Sequence, residues 1–284
     1  MESPKGTLYL IPTPIGNLED MTYRAVRILS EVDLVAAEDT RHTGLLLKHF
    51  NIDTKLISYH EHNKVERGID LVNLLESGQS IGLVSDAGMP AISDPGADLV
   101  ELALMHQIPV VPLPGANAAL KGLIASGLDT KEFTFIGFWP KRTGSRRDEL
   151  ERIKNYEGTL IFYETPHRIQ EILDELYTHL GDRPITIGRE LTKKFETFTY
   201  STLQTLRDTE EAFTIRGEFV LIVGGATTSQ GTVAAVTTVN YVDLVKQYMR
   251  DGLTKKLAIR EVAIQCNVSR RDVYNAVEQE FEEN

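Results

Sequence analysis

Cysteine is almost absent from this sequence, since Cys266 is the only one among 284 residues. A single thiol cannot form an internal disulfide, and without a second cysteine no thiolate cluster can hold structural zinc. We interpret Cys266 as a small buried residue of a helix. The composition therefore excludes a disulfide-stabilised fold.

Long hydrophobic runs are missing as well. No stretch of about 18 or more apolar residues occurs, and the N-terminal stretch MESPKGTLYLIPTPIGN lacks the basic-then-apolar pattern of a secretory signal. The chain is nevertheless 42% hydrophobic and can bury a sizeable core. We expect a soluble, cytoplasmic protein with no membrane partner.

Several familiar site motifs are absent or fail on their context. No G-x-G-x-x-G follows the first strand and no G-x-x-x-x-G-K-[ST] occurs, which removes the usual support for dinucleotide and P-loop sites. The stretch GQSIG fits G-x-S-x-G, but here a helix precedes the serine and a strand follows it. In YHEHN, His60 and His62 lack a third ligand, so we expect no metal.

Positive charge is scarce overall, because the net charge is −11. This argues against nonspecific binding of polyanions by the whole surface. Basic residues nevertheless crowd two segments, about 141–154 and 246–271. Such local patches suit docking on nucleic acid at chosen points, whereas a solvated helix face explains any one cluster alone.

The first half of the chain alternates short apolar runs with helical periodicity, from TLYLI to IPVVPL. This rhythm is typical of a mostly parallel sheet covered by helices. After PGANAALKGLIASGL, strand-like runs come with fewer helices, so we predict a second lobe with a mixed sheet. The expected domains are an N-terminal α/β lobe at 1–118, a C-terminal α/β lobe at 119–225 and a linker at 226–238.

A helical tail is predicted at 239–284. Three short helices fit VDLVKQYMRDG, LTKKLAIREVAIQCN and SRRDVYNAVEQEF, with Gly252 and Asn267 as C-terminal signals and Ser269 as an N-cap. The pattern resembles a helix-turn-helix module that presents basic side chains to nucleic acid. A small packing or dimerisation bundle is the alternative.

Four loops share one position, directly after a strand of the first half. They read PTPIGN, AEDTRHT, SDAGMPAISDPG and PLPGANAA. Open α/β sheets collect ligands at the carboxyl ends of their strands, and glycines there allow close backbone approach. Four such loops favour a ligand site over simple turns. Within the third loop we expect Asp94 to cap a helix that Pro95 and Gly96 begin.

These loops, together with GFWP, FYETPHRI and GRELTKKFET, resemble the tetrapyrrole-methylase-like (class III) S-adenosylmethionine-dependent methyltransferases. Within them the chain is most similar to the ribosomal small subunit RNA methyltransferase I family. The resemblance covers residues from about 7 to 225, and the tail resembles that family's helical domain. Met89 departs from the pattern, because the family usually has threonine there.

The resemblance implies a two-lobed α/β fold that binds S-adenosylmethionine between its lobes, a homodimer, and methylation of a cytidine ribose 2′-hydroxyl in the decoding region of small-subunit 16S rRNA. DNA is not an expected partner. The cofactor positions carried over are Gly16, Asp86, Ala87, Gly88, Met89, Pro90, Ser93, Asn117, Ala118, Ala119, Phe162, Tyr163, Glu164, Gly224 and Gly225.

An acceptor hydroxyl must lose its proton during methyl transfer, so a base or orienting group is expected near the cofactor. The candidates by motif position are Glu38, Asp39, His42, Glu164 and His167, of which Asp39 and Glu164 are favoured as catalytic residues. Asp39 beside Arg41 can equally form a structural ion pair. The residues predicted to bind RNA are Arg41, Arg142, Arg146, Arg147, Arg168, Lys255, Lys256, Arg270 and Arg271.

Two other functions stay open at this stage. A methyltransferase acting on a tetrapyrrole precursor would need a large apolar trough and no basic helical tail. A noncatalytic RNA-binding or ribosome-assembly protein could keep the same fold.

Overall fold

The structure is a computed structural model that describes residues 4–209, 213–226, 241–250, 253–265, 273–274 and 277. The chain forms two compact units, Met1–Thr228 and Ser229–Asn284. The predicted linker from residue 227 onward lies outside the described residues, as do Gly252, Cys266, Asn267, Ser269, Arg270 and Arg271. Within the described part, no helix has the length and apolar character needed to cross a membrane.

The first sheet has five parallel strands in the order β3-β2-β4-β1-β5. Its strands and helices are β1 (Leu8–Leu10), α1 (Tyr23–Glu31), β2 (Leu34–Ala37), α2 (Thr40–His49), β3 (Leu56–Ser58), α3 (Lys64–Glu76), β4 (Ile81–Val84), α4 (Ala97–Met105) and β5 (Val110–Pro112). A short 3-10 helix, Leu18–Asp20, precedes α1. Because β2 and β4 lie between other strands and are covered on both faces, every residue in them is buried.

Local sequence explains where these helices begin. In α1 the Thr22 side chain accepts a hydrogen bond from the Ala25 backbone N–H at 3.0 Å, which satisfies a donor that the helix leaves free. Ala25, Ile28 and Leu29 recur at helical spacing and are buried. The cap therefore sets where α1 begins, and the apolar stripe packs the helix against the sheet.

The second sheet has the order β6-β7-β10-β8-β9 and is mixed, because β6 and β7 are parallel while the other neighbours are antiparallel. Its strands and helices are α5 (Ala118–Ala125), β6 (Phe133–Phe138), α6 (Thr143–Ile153), β7 (Thr159–Glu164), α7 (Ile169–Leu180), β8 (Pro184–Arg189), β9 (Thr197–Thr202), α8 (Leu203–Asp208) and β10 (Phe219–Val223). The parallel pair is the one joined by a crossover helix, α6. The predicted mixed sheet is confirmed.

Helix α5 packs on β10, β7 and β8 of the second sheet. Its buried residues Ala119 and Leu123 share a core cluster with Val220 and Ile222 of β10. Gly122 lies so close that a Cβ there would be 3.0 Å from Ile222 Cδ1. This packing supports our proposal that the second lobe begins near residue 119.

The second unit has its own small core. Helices α9 (Tyr241–Arg250) and α10 (Lys255–Gln265) occupy the first two predicted helical segments. Their buried side chains join those of two residues from the third segment, and the cluster comprises Val242, Val245, Ala258, Ile259, Val262, Val273 and Val277. Tyr274 of the third segment is exposed, and the rest of that predicted helix lies outside the described residues.

Candidate active site

A cavity of about 360 Å³, here called the main cavity, opens at the carboxyl edge of the first sheet. Loops after β1, β2, β4 and β5 supply one wall, as the sequence predicts for ligand loops. These residues are Ile15, Glu38, Asp86, Ala87, Gly88, Met89, Ile92, Ser93, Asp94, Asn117 and Ala118. The second lobe supplies the other wall, with Phe138, Tyr163, Glu164, Thr165, Leu191, Glu218, Phe219 and Val220.

The loop after β4 is held against the loop after β1 by backbone hydrogen bonds. Thr13 and Gly88 exchange two of them, at 2.9 and 3.1 Å, and the Thr13 hydroxyl donates to the Ser85 carbonyl at 3.0 Å. Gly88 has φ +83°, and a Cβ there would lie 3.2 Å from Ile15 Cγ2. A glycine is therefore needed for the close approach of the two loops.

Two residues farther along this loop have unusual backbone angles. Ala91 has φ 68° and Ser93 has φ 62°, which is the left-handed region that non-glycine residues seldom occupy. Such strain persists only where the surroundings enforce it, and it concentrates at functional sites. Ser93 lines the main cavity, so the strain lies at the wall of the site.

Carboxyl groups gather on the first-lobe wall. Asp86 Oδ1 accepts a hydrogen bond from the Asp39 backbone N–H at 3.1 Å. Burial, followed by the charge of Asp86, raises the pKa of Glu38. Burial, followed by the charge of Glu38, raises the pKa of Asp94 to about 6, although the Ser85 side chain opposes this by hydrogen bonding. The wall is acidic and suits a cationic ligand.

Asp94 departs from the sequence expectation. Helix α4 begins at Ala97 with Gly96 at the N-cap, φ 145°, and no side chain caps it. The prediction that Asp94 caps this helix is therefore wrong. Two residues separate Asp94 from the helix, and its carboxyl group lines the main cavity instead.

The raised pKa of Asp94 makes the free energy of unfolding depend on pH. The folded state holds the Asp94 proton more tightly than the unfolded chain does, so stability from this group falls as pH rises from about 4 through about 6. The ordinary value of 3.8 and the folded value of about 6 correspond to at most about 3 kcal/mol. We expect Asp94→Asn to be more stable than wild type at pH 7, with the difference vanishing near pH 4.

Thermal unfolding at half-unit pH intervals from 4 to 8 measures this difference. Asp98→Asn is the matched control, because Asp98 lies on the surface of α4 in an ion pair with Lys64. It should not stabilise the protein at pH 7. If the melting temperature of Asp94→Asn depends on pH in the same way as that of wild type over this range, the expectation is contradicted.

Tyr163 and Glu164 form the end of β7 that faces the main cavity. The Tyr163 hydroxyl accepts a hydrogen bond from the Ala119 backbone N–H at 3.1 Å. Glu164 is 2% exposed, and its Oε1 accepts from the Thr165 backbone N–H at 2.9 Å. Its Oε2 accepts no hydrogen bond within the described part of the chain and lies 3.7 Å from Arg168 Nη2. This buried acceptor is available to a donor on a ligand.

Several predicted cofactor residues do not line the main cavity. Gly16 lines an adjoining cavity, and Pro90 is buried. The Ala119 backbone N–H donates to the hydroxyl of Tyr163, which lines the main cavity. Phe162 alternates with Tyr163 along β7 and points into the core, where its ring lies 5.6 Å from that of Trp139.

Gly224 and Gly225 lie at the far end of β10. That strand is antiparallel to β7, and Phe219 pairs with Glu164 while Val223 pairs with Leu160. The start of β10 therefore borders the cavity, and the two glycines follow its other end. A Cβ at Gly225 would lie 1.7 Å from the Glu157 carbonyl oxygen, so this glycine is needed for chain packing.

Asp39 is occupied as the N-cap of α2. Its carboxylate accepts from the Arg41 backbone N–H at 2.8 Å and binds the Arg41 guanidinium at 2.6 and 3.1 Å. These bonds hold the pKa of Asp39 well below its usual range. Asp39 is absent from the residues that line the main cavity. It therefore serves the helix terminus and is a weak proton acceptor.

The basic residues divide into bound and exposed groups. Arg146 donates to the Pro140 carbonyl at 2.7 Å and pairs with Glu171 and Glu175, so only 13% of its side chain is exposed. Arg168 donates to the Trp139 carbonyl at 2.7 Å. Both hold the second lobe together. The exposed residues are Arg41, Arg142, Arg147 and Lys256, while Lys255 is half-buried.

No group of three or more histidine, cysteine, aspartate or glutamate side chains is arranged to hold a metal within the described residues. The His60 and His62 rings of YHEHN lie 6.0 Å apart. We assign no role to them.

Comparison with known proteins identifies the family. A family model described as Tetrapyrrole (Corrin/Porphyrin) Methylases matches residues 7–207. A ribosomal RNA small subunit methyltransferase I from Halalkalibacterium halodurans is 51% identical over 277 residues, covering 97% of this chain and 96% of that protein. Its counterpart from Bacillus subtilis is 47% identical over 277 residues, with coverages of 97% and 95%. The chain belongs to the ribosomal RNA small subunit methyltransferase I family.

A solved structure confirms the fold class expected for this family. Uroporphyrin-III C-methyl transferase from Thermus thermophilus, solved in complex with S-adenyl homocysteine, superposes with a TM-score of 0.53 and 22% identity. The match covers 77% of this chain and 97% of that one. At this identity the likeness concerns the fold, a two-lobed tetrapyrrole-methylase-like α/β architecture.

The sequence missed part of the main cavity. Glu218, Phe219 and Val220 line it because of the antiparallel register between β7 and β10. Phe138 and Leu191 line it from the end of β6 and the loop after β8. Phe138 is the second residue of the GFWP motif, and that motif was the available signal for it.

Proposed function

We propose that this protein transfers a methyl group from S-adenosylmethionine to the ribose 2′-hydroxyl of a cytidine in the decoding region of small-subunit rRNA. The observation that carries the proposal is an acidic cavity built by the family's own motifs, in a chain about half identical to proteins called ribosomal RNA small subunit methyltransferase I. The sulfonium group of S-adenosylmethionine would supply an activated methyl group without a metal.

The residues present fit this cofactor. A cavity of about 360 Å³ is within the usual range for small-molecule sites. Asp86, Glu38 and Asp94 provide negative charge for a sulfonium and an ammonium. Glu164 Oε2 is a buried acceptor without a hydrogen bond within the described residues. Met89 lacks the threonine hydroxyl, so the contribution of this position rests on its backbone.

The acceptor hydroxyl must lose a proton, and we propose Glu164 as the catalytic carboxylate. Glu164 lines the main cavity, whereas Asp39 does not and is bound to Arg41. We therefore leave Asp39 out of the proposed chemistry and assign it to the start of α2. Glu38 and Asp94 lie on the opposite wall, where burial raises the pKa of each carboxyl group.

The proposed RNA surface consists of exposed cations. Arg142 and Arg147 lie at the start of α6, and Arg41 is 89% exposed although its guanidinium is paired with Asp39. Arginine offers planar donors that match phosphate. In the second unit we include Lys255 and Lys256, and the sequence adds Arg270 and Arg271. Arg146 and Arg168 are left out because their guanidinium groups are bound within the second lobe.

Labelled S-adenosylmethionine, incubated with the protein and small ribosomal subunits that lack the modification, tests the proposal. We expect label on one cytidine ribose, located by nuclease mapping, and about 100-fold less label with Glu164→Gln at equal cofactor binding. Label on a tetrapyrrole precursor instead of RNA would favour the small-molecule activity. Subunit binding without label would favour a noncatalytic assembly protein.

We also propose a homodimer, as the family resemblance implies. Leu120 and Ile124 lie one turn apart on α5 and are 47% and 78% exposed, and the nearby Tyr200 hydroxyl donates to the Ala125 carbonyl. This apolar face supports an interface. We expect Ile124→Glu to convert a two-chain particle to single chains in light scattering. Leu104→Glu, a similarly exposed change on α4, should leave the dimer intact, and equal masses for both variants would contradict the proposed face.

A further inference from the structure

A second cavity of about 270 Å³, here called the side cavity, adjoins the main cavity. It lies between the loop after β1, one face of α2 and the loop after β8. The two cavities share Ile15, Asp86, Ala87 and Glu218. The two cavities are therefore adjacent, and these four residues lie at their border.

The side cavity has apolar walls and polar edges. Pro14, Leu18 and Leu46 supply aliphatic surface. His42 lies one turn before Leu46 on α2, and its imidazole makes no hydrogen bond or ion pair within the described part of the chain. An apolar surface flanked by an unused hydrogen-bonding group suits a flat, polar-edged ring such as a nucleobase.

Lys193 forms the wall opposite α2. Its ammonium group bridges Glu190 Oε1 at 3.0 Å and Glu218 Oε2 at 2.9 Å. The stem of the side chain crosses Gly16 so closely that a Cβ there would lie 2.4 Å from Lys193 Cγ. Gly16, a predicted cofactor residue, therefore makes room for this lysine.

The loop that carries Lys193 is strained. Glu190 has φ 50° and Thr192 has φ 67°, and the Thr192 hydroxyl is buried without a hydrogen bond within the described residues. Glu196 holds the loop by accepting from the Thr192 backbone N–H. Left-handed backbone at two non-glycine residues persists only where a structure enforces it, so the position of Lys193 is built into this lobe.

The charges of the two cavities differ. The carboxylates that line the main cavity are Glu38, Asp86, Asp94, Glu164 and Glu218. Among the residues that line the side cavity, the carboxylates are Asp86 and Glu218, and the Lys193 ammonium offsets Glu218, while Arg41 lies next to His42 at the start of α2. The N-terminus of α2 adds partial positive charge. A phosphate beside a bound nucleoside is therefore better tolerated at the side cavity.

We propose that the side cavity binds the nucleoside that is methylated, with its base between Leu18 and Leu46 and its ribose toward the wall shared with the main cavity. This inference rests on the proposed function and extends it, because it assigns the acceptor its own site. In the transfer, the ribose oxygen bonds to the methyl carbon as the carbon–sulfur bond breaks. The electron pair stays on sulfur, and the hydroxyl proton passes to a carboxylate of the main cavity.

Leu46→Gln tests the proposal, with Leu45→Gln as its matched control. The two leucines are neighbours on α2, but Leu45 is 69% exposed and does not line the side cavity. We expect Leu46→Gln to raise the KM for small ribosomal subunits about tenfold, since burying an aliphatic side chain against a base contributes affinity of that order. The cofactor Kd from calorimetry should change less than about twofold, and Leu45→Gln should match wild type in both.

Leu18→Gln repeats the test from the other wall, at a residue that is 43% exposed and whose replacement does not open a core. If Leu46→Gln does not fold, Leu18→Gln still tests the acceptor site. An unchanged KM in folded variants of both walls would overturn the acceptor site, and so would a loss of cofactor affinity as large as the rise in KM. If wild type labels no subunits at all, the proposed function fails first and the acceptor site falls with it.

Discussion

Asp86→Lys is expected to abolish cofactor binding measured by calorimetry. Asp86 lies on the wall shared by the main and side cavities, and its Oδ1 accepts from the Asp39 backbone N–H. The substitution replaces an attractive charge with a repulsive one beside the site of a sulfonium. At an effective dielectric constant near 20, one charge pair at about 4 Å contributes roughly 4 kcal/mol. A loss of affinity beyond 100-fold is therefore expected.

Two controls separate charge from folding. Glu101→Lys makes the same charge change at an exposed position of α4 and should bind the cofactor like wild type. Asp86→Asn keeps an oxygen for the Asp39 N–H and should weaken binding by less than the lysine does. If Asp86→Lys melts at the wild-type temperature and binds as Glu101→Lys does, the loop after β4 is not part of the cofactor site.

Much of the main cavity could be predicted because it depends on local sequence and on one general property of parallel sheets. Three of the four loops that line the cavity from the first lobe, PTPIGN, SDAGMPAISDPG and PLPGANAA, read as turns with glycine and proline, and parallel strands bring all four to the same edge. Ile15, Glu38, Asp86 and Asn117 meet at the cavity for this reason. No long-range pairing had to be known.

The second-lobe wall could not be predicted in the same way. Its residues meet through antiparallel register, in which Phe219 pairs with Glu164 and the start of β10 borders the site. The sequence shows a strand ending in two glycines, and the family pattern directs attention to that end. A strand's composition does not specify which of its ends lies at a cavity, so the sequence named Gly224 and Gly225, which lie away from the main cavity, and did not name Val220, which lines it.

Charged residues were the least predictable. Asp94 follows the pattern of a helix cap, yet the helix begins three residues later and the carboxyl group lines the cavity. Arg146 reads as part of a basic patch, yet Glu171 and Glu175 from α7 bind it. In both cases the partner that decides the role lies on another element. The sequence shows these charges but not the residues that contact them in the fold.

Deleting residues 239–284 is expected to abolish activity on small ribosomal subunits and to leave the cofactor Kd within about twofold of wild type. The first unit ends at Thr228 and contains every residue that lines the main cavity, and the second unit has its own core, so a deletion from residue 239 onward leaves the first unit whole. The tail carries seven lysine and arginine residues within a chain of net charge −11. Without them, phosphate contacts that hold structured RNA are lost.

A finer variant distinguishes RNA binding from the alternative role of the tail as a packing or dimerisation bundle. Lys256 and Arg260 are exposed and one turn apart on α10, so Lys256→Glu with Arg260→Glu reverses charge without opening the core. If the tail binds RNA, this double variant raises the KM for subunits and flattens its dependence on salt, because fewer counterions are released.

Lys131→Glu is the matched control for this double variant. Lys131 is exposed and precedes the end of β6 that lies away from the main cavity, so its charge reversal should leave the KM unchanged. Light scattering completes the comparison. One outcome would favour the packing or dimerisation role: the truncated protein is a single chain in light scattering, while the double variant keeps the wild-type KM and salt dependence. The tail would then join two chains, and the phosphate contacts would come from the first unit alone.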